Sequence, residues 1–172
     1  MGAAFYDPNK LTELPFGLAW RVYRCPMPFR PGDDDGQLFA QFQHVGVGAV
    51  VLLLPREEYL QKSRRDLAAL YHQAGIQVIE MPIRDYSIPE LNLLEPAMEQ
   101  AIALARSGKN LAVHCYAGFG RTGTFLACLA VRLMGLNGQQ AIEWVRQYVP
   151  SALENLEQVQ FVKDYGVRYA HH

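Results

Sequence analysis

Cys115 and Arg121 stand five residues apart, and the stretch around them reads LAVHCYAGFGRTG from Leu111 to Gly123. An apolar run ends at His114, a loop bearing Gly118 and Gly120 follows, and a helix-compatible segment opens near Arg121. Backbone N–H groups of Tyr116, Ala117, Gly118, Phe119, Gly120 and Arg121 can turn inward around one anion, and the helix that follows adds its positive N-terminal end. The two glycines permit dihedrals that other residues resist and a close approach to a ligand. The planar fork of Arg121 suits two oxygens of a phosphoryl group. A thiol placed in such a field loses its proton readily. The sequence therefore predicts a thiolate at Cys115, ready for in-line attack on phosphorus. Thr122 is positioned to offer its hydroxyl to the sulfur as it departs, and His114, by strand alternation, points away from the ligand and braces the loop.

Cleaving a phosphate ester also needs a proton donor, and a carboxylic acid on a mobile loop suits this. Asp85 is the best placed, 30 residues before Cys115 and followed by Tyr86 and Pro89. A second step needs an aimed water. Gln158 is read two ways, as the residue that orients it and as part of a helix cap with Asn155. Glu154 reads as a surface residue nearby. Phe119, Tyr86, Tyr116 and Met27 are candidates for the rim.

These residues need a scaffold. Gly48–Leu54, Ile76–Met81 and Leu111–His114 read as buried strands, with Leu18–Arg24 a further strand by its alternation. Helical spacing marks 57–74 as one helix, 90–107 as another, and three closing helices near 121–134, 138–148 and 155–169. Strands alternating with long helices predict an α/β fold, a mostly parallel central sheet flanked by helices, with 1–172 as one domain. Residues 1–16 read as an irregular arm, and the Asp33-Asp34-Asp35 run as a solvated loop. In such a sheet, ligands bind beyond the carboxyl ends of the strands, where Cys115 falls.

Half the 172 residues are apolar and the net charge is −1. That balance recommends neither nucleic acid nor an anionic membrane as partner, and no apolar run reaches the length of a membrane span. No spacing predicts a metal or cofactor. Three cysteines without a leader-like start predict free thiols and a cytoplasmic setting. No Cys-x-x-Cys supports thiol redox chemistry. Cys128 reads as core, and Cys25 as a conceivable disulfide partner of Cys115.

Six positions of the loop are fixed by this chemistry, a match that arises by chance at a given site about once in 10⁸. HCYAGFGRTG resembles the HCxxGxxRT[GS] signature of cysteine-dependent protein tyrosine and dual-specificity phosphatases. The longer run HCYAGFGRTGTFLACLAV is most similar to the small atypical dual-specificity phosphatases of the VHZ type and their prokaryotic relatives, and VRQYVPSALENLEQVQF, 145–161, is similar to a family segment R-P-x-x-I-E-T-x-x-Q. The resemblance implies a phosphatase-like domain that cleaves phosphotyrosine, and possible phosphoserine or phosphothreonine, in proteins through a phosphocysteine. It implies Asp85 as acid and Gln158 as water-orienting residue, and inhibition by oxyanions such as vanadate or phosphate. Phosphoinositides, other small phosphomonoesters and RNA 5′ phosphates are alternative substrates. The absence of lysine from the loop weighs against highly charged ones. A non-catalytic phospho-binding module is a remote alternative.

Overall fold

The computed structural model describes residues 5–170. Its sheet has five strands: β1 (Thr12–Leu14), β2 (Val22–Cys25), β3 (Val47–Leu52), β4 (Gln77–Glu80) and β5 (Asn110–His114). They lie in the order β1-β2-β5-β3-β4. Only β1 runs antiparallel to its neighbour. The last strand is therefore central, and His114 lies level with Cys25 on one side and Leu52 on the other. Leu111, Ala112, Val113 and His114 are all buried, as a strand covered on both faces requires.

Helices α1 (Gln37–His44), α2 (Arg56–Ser63) and α3 (Leu67–Gln73) contribute Leu38, Phe42, Tyr59, Leu67 and Tyr71 to the core on one face. Helices α4 (Leu91–Arg106), α5 (Gly120–Met134), α6 (Gly138–Tyr148) and α7 (Leu156–Tyr169) cover the other. The α6–α7 pair approaches at backbone distance: a Cβ on Gly138 would stand 2.4 Å from Lys163 Cα. Arg132 ties α4, α5 and α7 together through Glu95, Glu99 and Tyr165.

Four sequence expectations are corrected. The arm before residue 16 supplies an edge strand, β1. The alternation at Leu18–Arg24 becomes strand only from Val22, where pairing with β5 begins. The segment 57–74 is two helices. Arg64 takes φ 57, Ser63 turns its hydroxyl onto the Tyr59 and Arg65 carbonyls, and Asp66 starts α3 by accepting from Ala69 N–H at 3.2 Å. Local side-chain bonds of this kind compete with helix continuation. Asp33 is not solvated but buried: it accepts from the N–H groups of Phe29 at 3.0 Å and Gln37 at 2.8 Å, fixing the turn before α1.

Candidate active site

The loop 115–119 joins β5 to α5 at the carboxyl edge of the sheet. Cys115 is buried, and Gly118 N–H donates to its sulfur at 3.3 Å. Gly118 needs its φ of +82, and a Cβ there would collide with Cys25 O at 2.5 Å. Gly120 serves differently. Its φ is not positive, but a Cβ on it would stand 2.7 Å from Glu154 Oε2 and 3.0 Å from Gln158 Nε2. The glycine thus lets the 152–158 segment descend onto the start of α5.

Arg121 is 2% exposed and gripped from one side. Its Nη1 donates to Glu58 Oε2 at 2.9 Å and its Nη2 to Glu58 Oε1 at 3.0 Å. Nη1 also donates to Ile83 O at 3.0 Å. Burial opposes the Arg121 charge, but the Glu58 hydrogen bonds and the neighbouring Cys115, Glu58 and Asp85 outweigh it and hold its pKa up. Burial lifts the Glu58 carboxyl in turn, and Arg121 with Lys62 more than reverses this, leaving its pKa below the usual range. Glu58 grips the terminal nitrogens end-on, so the Nε side of the fork faces away from the clamp. Glu58 escapes a sequence reading because it lies 63 residues from Arg121. Its one visible signal, the i,i+4 spacing to Lys62, looks like an ordinary surface pair.

Asp85 is brought to the same place. Its Oδ1 lies 3.2 Å from Arg121 Nη2 while its side chain is 43% exposed. The loop is docked on the first turn of α7: Asn155 Nδ2 donates to Tyr86 O at 2.8 Å and Gln158 Nε2 to Ser87 O at 3.3 Å. Gln158 is buried, and its Oε1 accepts from Glu154 N–H at 2.8 Å. Asn155 meanwhile accepts from Gln158 N–H at 2.9 Å, so one half of the expected cap forms and the other is displaced by one residue. Both ends of the Gln158 amide are engaged in joining loop to helix. Glu154 is solvent-exposed, yet its carboxylate overhangs α5. Burial raises its pKa, the Asp85 charge raises it further, and Arg121 opposes both.

His114 is wholly buried. Its Nδ1 lies 3.0 Å from Cys115 O and its Nε2 lies 2.8 Å from Tyr71 Oη. A carbonyl only accepts, so Nδ1 carries the proton and Nε2 accepts from Tyr71. Burial pushes the His114 pKa down to about 4. As pH falls from about 6.5 to about 4, the unfolded chain takes up a proton that the native chain refuses, so stability is present above this window and lost within it. The loss is on the order of 3 kcal/mol. The urea midpoint of the wild type should fall more steeply between pH 7 and 4.5 than that of His114→Gln, and parallel slopes would count against this account.

Thr122 Oγ1 is buried without a hydrogen-bond partner. It belongs to the first turn of α5, and no bond to the Cys115 sulfur satisfies it. Tyr116 and Phe119 are half-buried at the loop. The Phe119 ring packs on Arg24, whose guanidinium carbon is 5.2 Å from its centroid. Tyr86 is exposed beside Asp85, whereas Met27 is fully buried and lines no rim. Cys25 and His114 occupy paired positions and face the α1–α3 core, while Cys115 joins the opposite core. That placement opposes a Cys25–Cys115 disulfide. Cys128 is core, as its spacing indicated.

Cys115, Arg121 and Asp85 thus meet at the sheet edge between β5 and α5, and comparison with known proteins makes the chain a phosphatase of the protein tyrosine and dual-specificity class. The chain belongs to the DSP-PTPase phosphatase family of polymorphic toxin systems, whose model matches residues 31–135. It is 31% identical over 97 residues to protein tyrosine phosphatase domain-containing protein 1 of Danio rerio, a match covering 56% of this chain and only 14% of that one. Its fold is similar to that of kinase associated phosphatase carrying serine at the catalytic-site cysteine, with a TM-score of 0.83, 21% identity, and 96% and 98% of the two chains covered. Tk-PTP in its active form gives a TM-score of 0.72 at 26% identity over 86% and 92% of the chains. Among the described residues no helix is long and apolar enough to cross a membrane.

Proposed function

We propose that the protein hydrolyses phosphotyrosine in protein substrates through a phosphocysteine on Cys115, with phosphoserine and phosphothreonine as slower substrates. The observation that carries this reading is that the Gly118 N–H donates to Cys115 Sγ while Arg121, held by Glu58 and electrostatically coupled to Cys115, meets Asp85. In the first step Cys115 Sγ attacks phosphorus, the inward amides and Arg121 take the equatorial oxygens, and Asp85 gives its proton to the departing oxygen. In the second step a water attacks phosphorus, its proton passes to a neighbouring carboxylate, and the sulfur leaves as thiolate. Thr122 Oγ1, buried and without a hydrogen-bond partner, is the hydroxyl we assign to that sulfur. His114 keeps its role as brace. The reaction as written needs no metal or cofactor. Vanadate or phosphate would occupy the loop as inhibitors.

Glu154 adds a second carboxylate beside Asp85, and burial together with the Asp85 charge raises its affinity for a proton. We assign it to the water of the second step, with Gln158 holding its backbone and the acid loop in register. A cleft of about 660 Å³ flanks that loop, lined by Pro55, Arg56, Ile83, Arg84, Ile88 and Leu93. Arg56 and Arg84 share its walls with Glu57, Glu90 and apolar side chains, an extended surface of mixed charge that fits a peptide better than a small phosphomonoester. The three free cysteines are all buried, which fits a reducing, cytoplasmic setting.

The test is vanadate-sensitive hydrolysis across a panel of phosphotyrosine and phosphoserine peptides, phosphoinositides and RNA 5′ phosphates. Preference for the last two groups would overturn the substrate assignment. Within that panel, Asp85→Asn should lower kcat by about 10²-fold for poor leaving groups and far less for good ones. Glu154→Gln should instead slow breakdown of the intermediate, seen as a larger burst with good leaving groups. An equal loss across leaving groups in Asp85→Asn would remove its acid role.

A further inference from the structure

Arg24 is the residue the reaction scheme leaves unused. It sits on β2, level with Val113 of β5, and is wholly buried. Among the described residues no carboxylate pairs with it. All its hydrogen bonds go to backbone carbonyls: Nε donates to Gly118 O at 3.1 Å and Nη2 to Ala117 O at 3.0 Å. Nη1 donates to Pro8 O at 3.0 Å and Lys10 O at 3.4 Å. A charge buried without a counter-ion is costly, and β2 could have carried an apolar residue here at no such cost.

The geometry suggests what the charge does. Ala117 O and Gly118 N–H belong to one planar trans peptide, so they point in opposite directions. Arg24 holds the oxygen at one end of that unit, and the N–H at the other end donates to Cys115 Sγ at 3.3 Å. The next peptide repeats the arrangement: Arg24 holds Gly118 O, which turns Phe119 N–H toward the loop's interior. Gly118 is where these two planes could flip most easily, because glycine crosses between backbone regions that other residues cannot.

We infer that Arg24 is a positioning residue for the reaction. It locks two consecutive peptide units of the phosphate loop with their N–H groups inward, and its charge polarises both toward the sulfur and the bound oxyanion. Its anchorage to the carbonyls of Pro8 and Lys10 makes the N-terminal arm part of the same device. The inference rests on the reading of Cys115 as nucleophile and adds a second cation, besides Arg121, to it.

The test uses the full chain and two readouts that do not require turnover: vanadate binding, and the rate at which iodoacetamide alkylates Cys115 at pH 6, located by mass spectrometry. Arg24→Met should weaken vanadate and slow alkylation by about tenfold each. Arg24→Lys keeps the charge but not the fork, so it should recover much of the alkylation rate while losing vanadate affinity to a similar extent. Gly138→Ala, destabilising at the α6–α7 contact away from the loop, should leave both readouts at wild-type values. A folded Arg24→Met with wild-type values overturns the inference alone. If that variant does not fold, wild-type vanadate affinity in Arg24→Lys overturns it. A wild-type protein whose Cys115 reacts no faster than a free thiol and ignores vanadate overturns the underlying reading as well.

Discussion

Cys115→Ser should abolish turnover of an aryl phosphate, by about 10⁴-fold or more, and leave the fold intact. A serine hydroxyl holds its proton at neutral pH, and the adjacent histidine cannot take it: His114 faces the opposite side and is bonded to Tyr71 and the Cys115 carbonyl. Alkoxide is also the poorer leaving group in the second step. The loop should survive, because the Gly118 N–H can donate to Oγ as it does to sulfur and the Arg24 and Arg121 contacts do not involve the thiol. Single-turnover kinetics beside a thermal melt decide the matter. Hydrolysis persisting at the wild-type rate would eliminate the phosphocysteine.

Arg121→Lys should rank second, with a loss of about 10³-fold in kcat/KM. A lysine keeps the charge and can still reach Glu58, so stability should change little. It cannot present two parallel N–H groups to a phosphoryl group while two others are tied to Glu58 and Ile83 O. The loss should therefore fall mainly on kcat, since the planar fork matches the transition state better than the ground state. A change confined to KM would mean that Arg121 only binds substrate. Glu58→Gln provides the milder companion, because an amide can hold only one of the two Arg121 nitrogens as an acceptor.

How far the chain discloses itself depends on distance along it. Helices α4 to α7 are legible because each places its apolar residues at helical spacing and meets a clear stop or cap. The buried runs of β3 and β5 are legible for the same local reason. Asp85 and Gly118 could be placed from the loop's own chemistry. Glu58 and Arg24 could not. Each is a charged residue within an element whose pattern already accounts for it, and its partner lies more than 60 residues away. The break at Arg64 is hidden because Leu60, Leu67 and Leu70 keep a helical spacing across it. Gly120 was visible as a glycine, but the close approach of Glu154 and Gln158 that requires it depends on a turn 30 residues downstream.

The docking of the acid loop on α7 bears on the timing of catalysis. A flap that closes only over substrate loses its conformational entropy at each encounter, and its closing can limit the rate. Here Tyr86 O and Ser87 O are fastened to Asn155 and Gln158 by hydrogen bonds within the chain itself. The disorder was surrendered once, at folding, and capture of a phosphoryl group requires only that Asp85 release Arg121 and swing toward the leaving oxygen. Such an enzyme should show single-step binding kinetics, with an association rate set by diffusion and charge and insensitive to any gating motion of the loop.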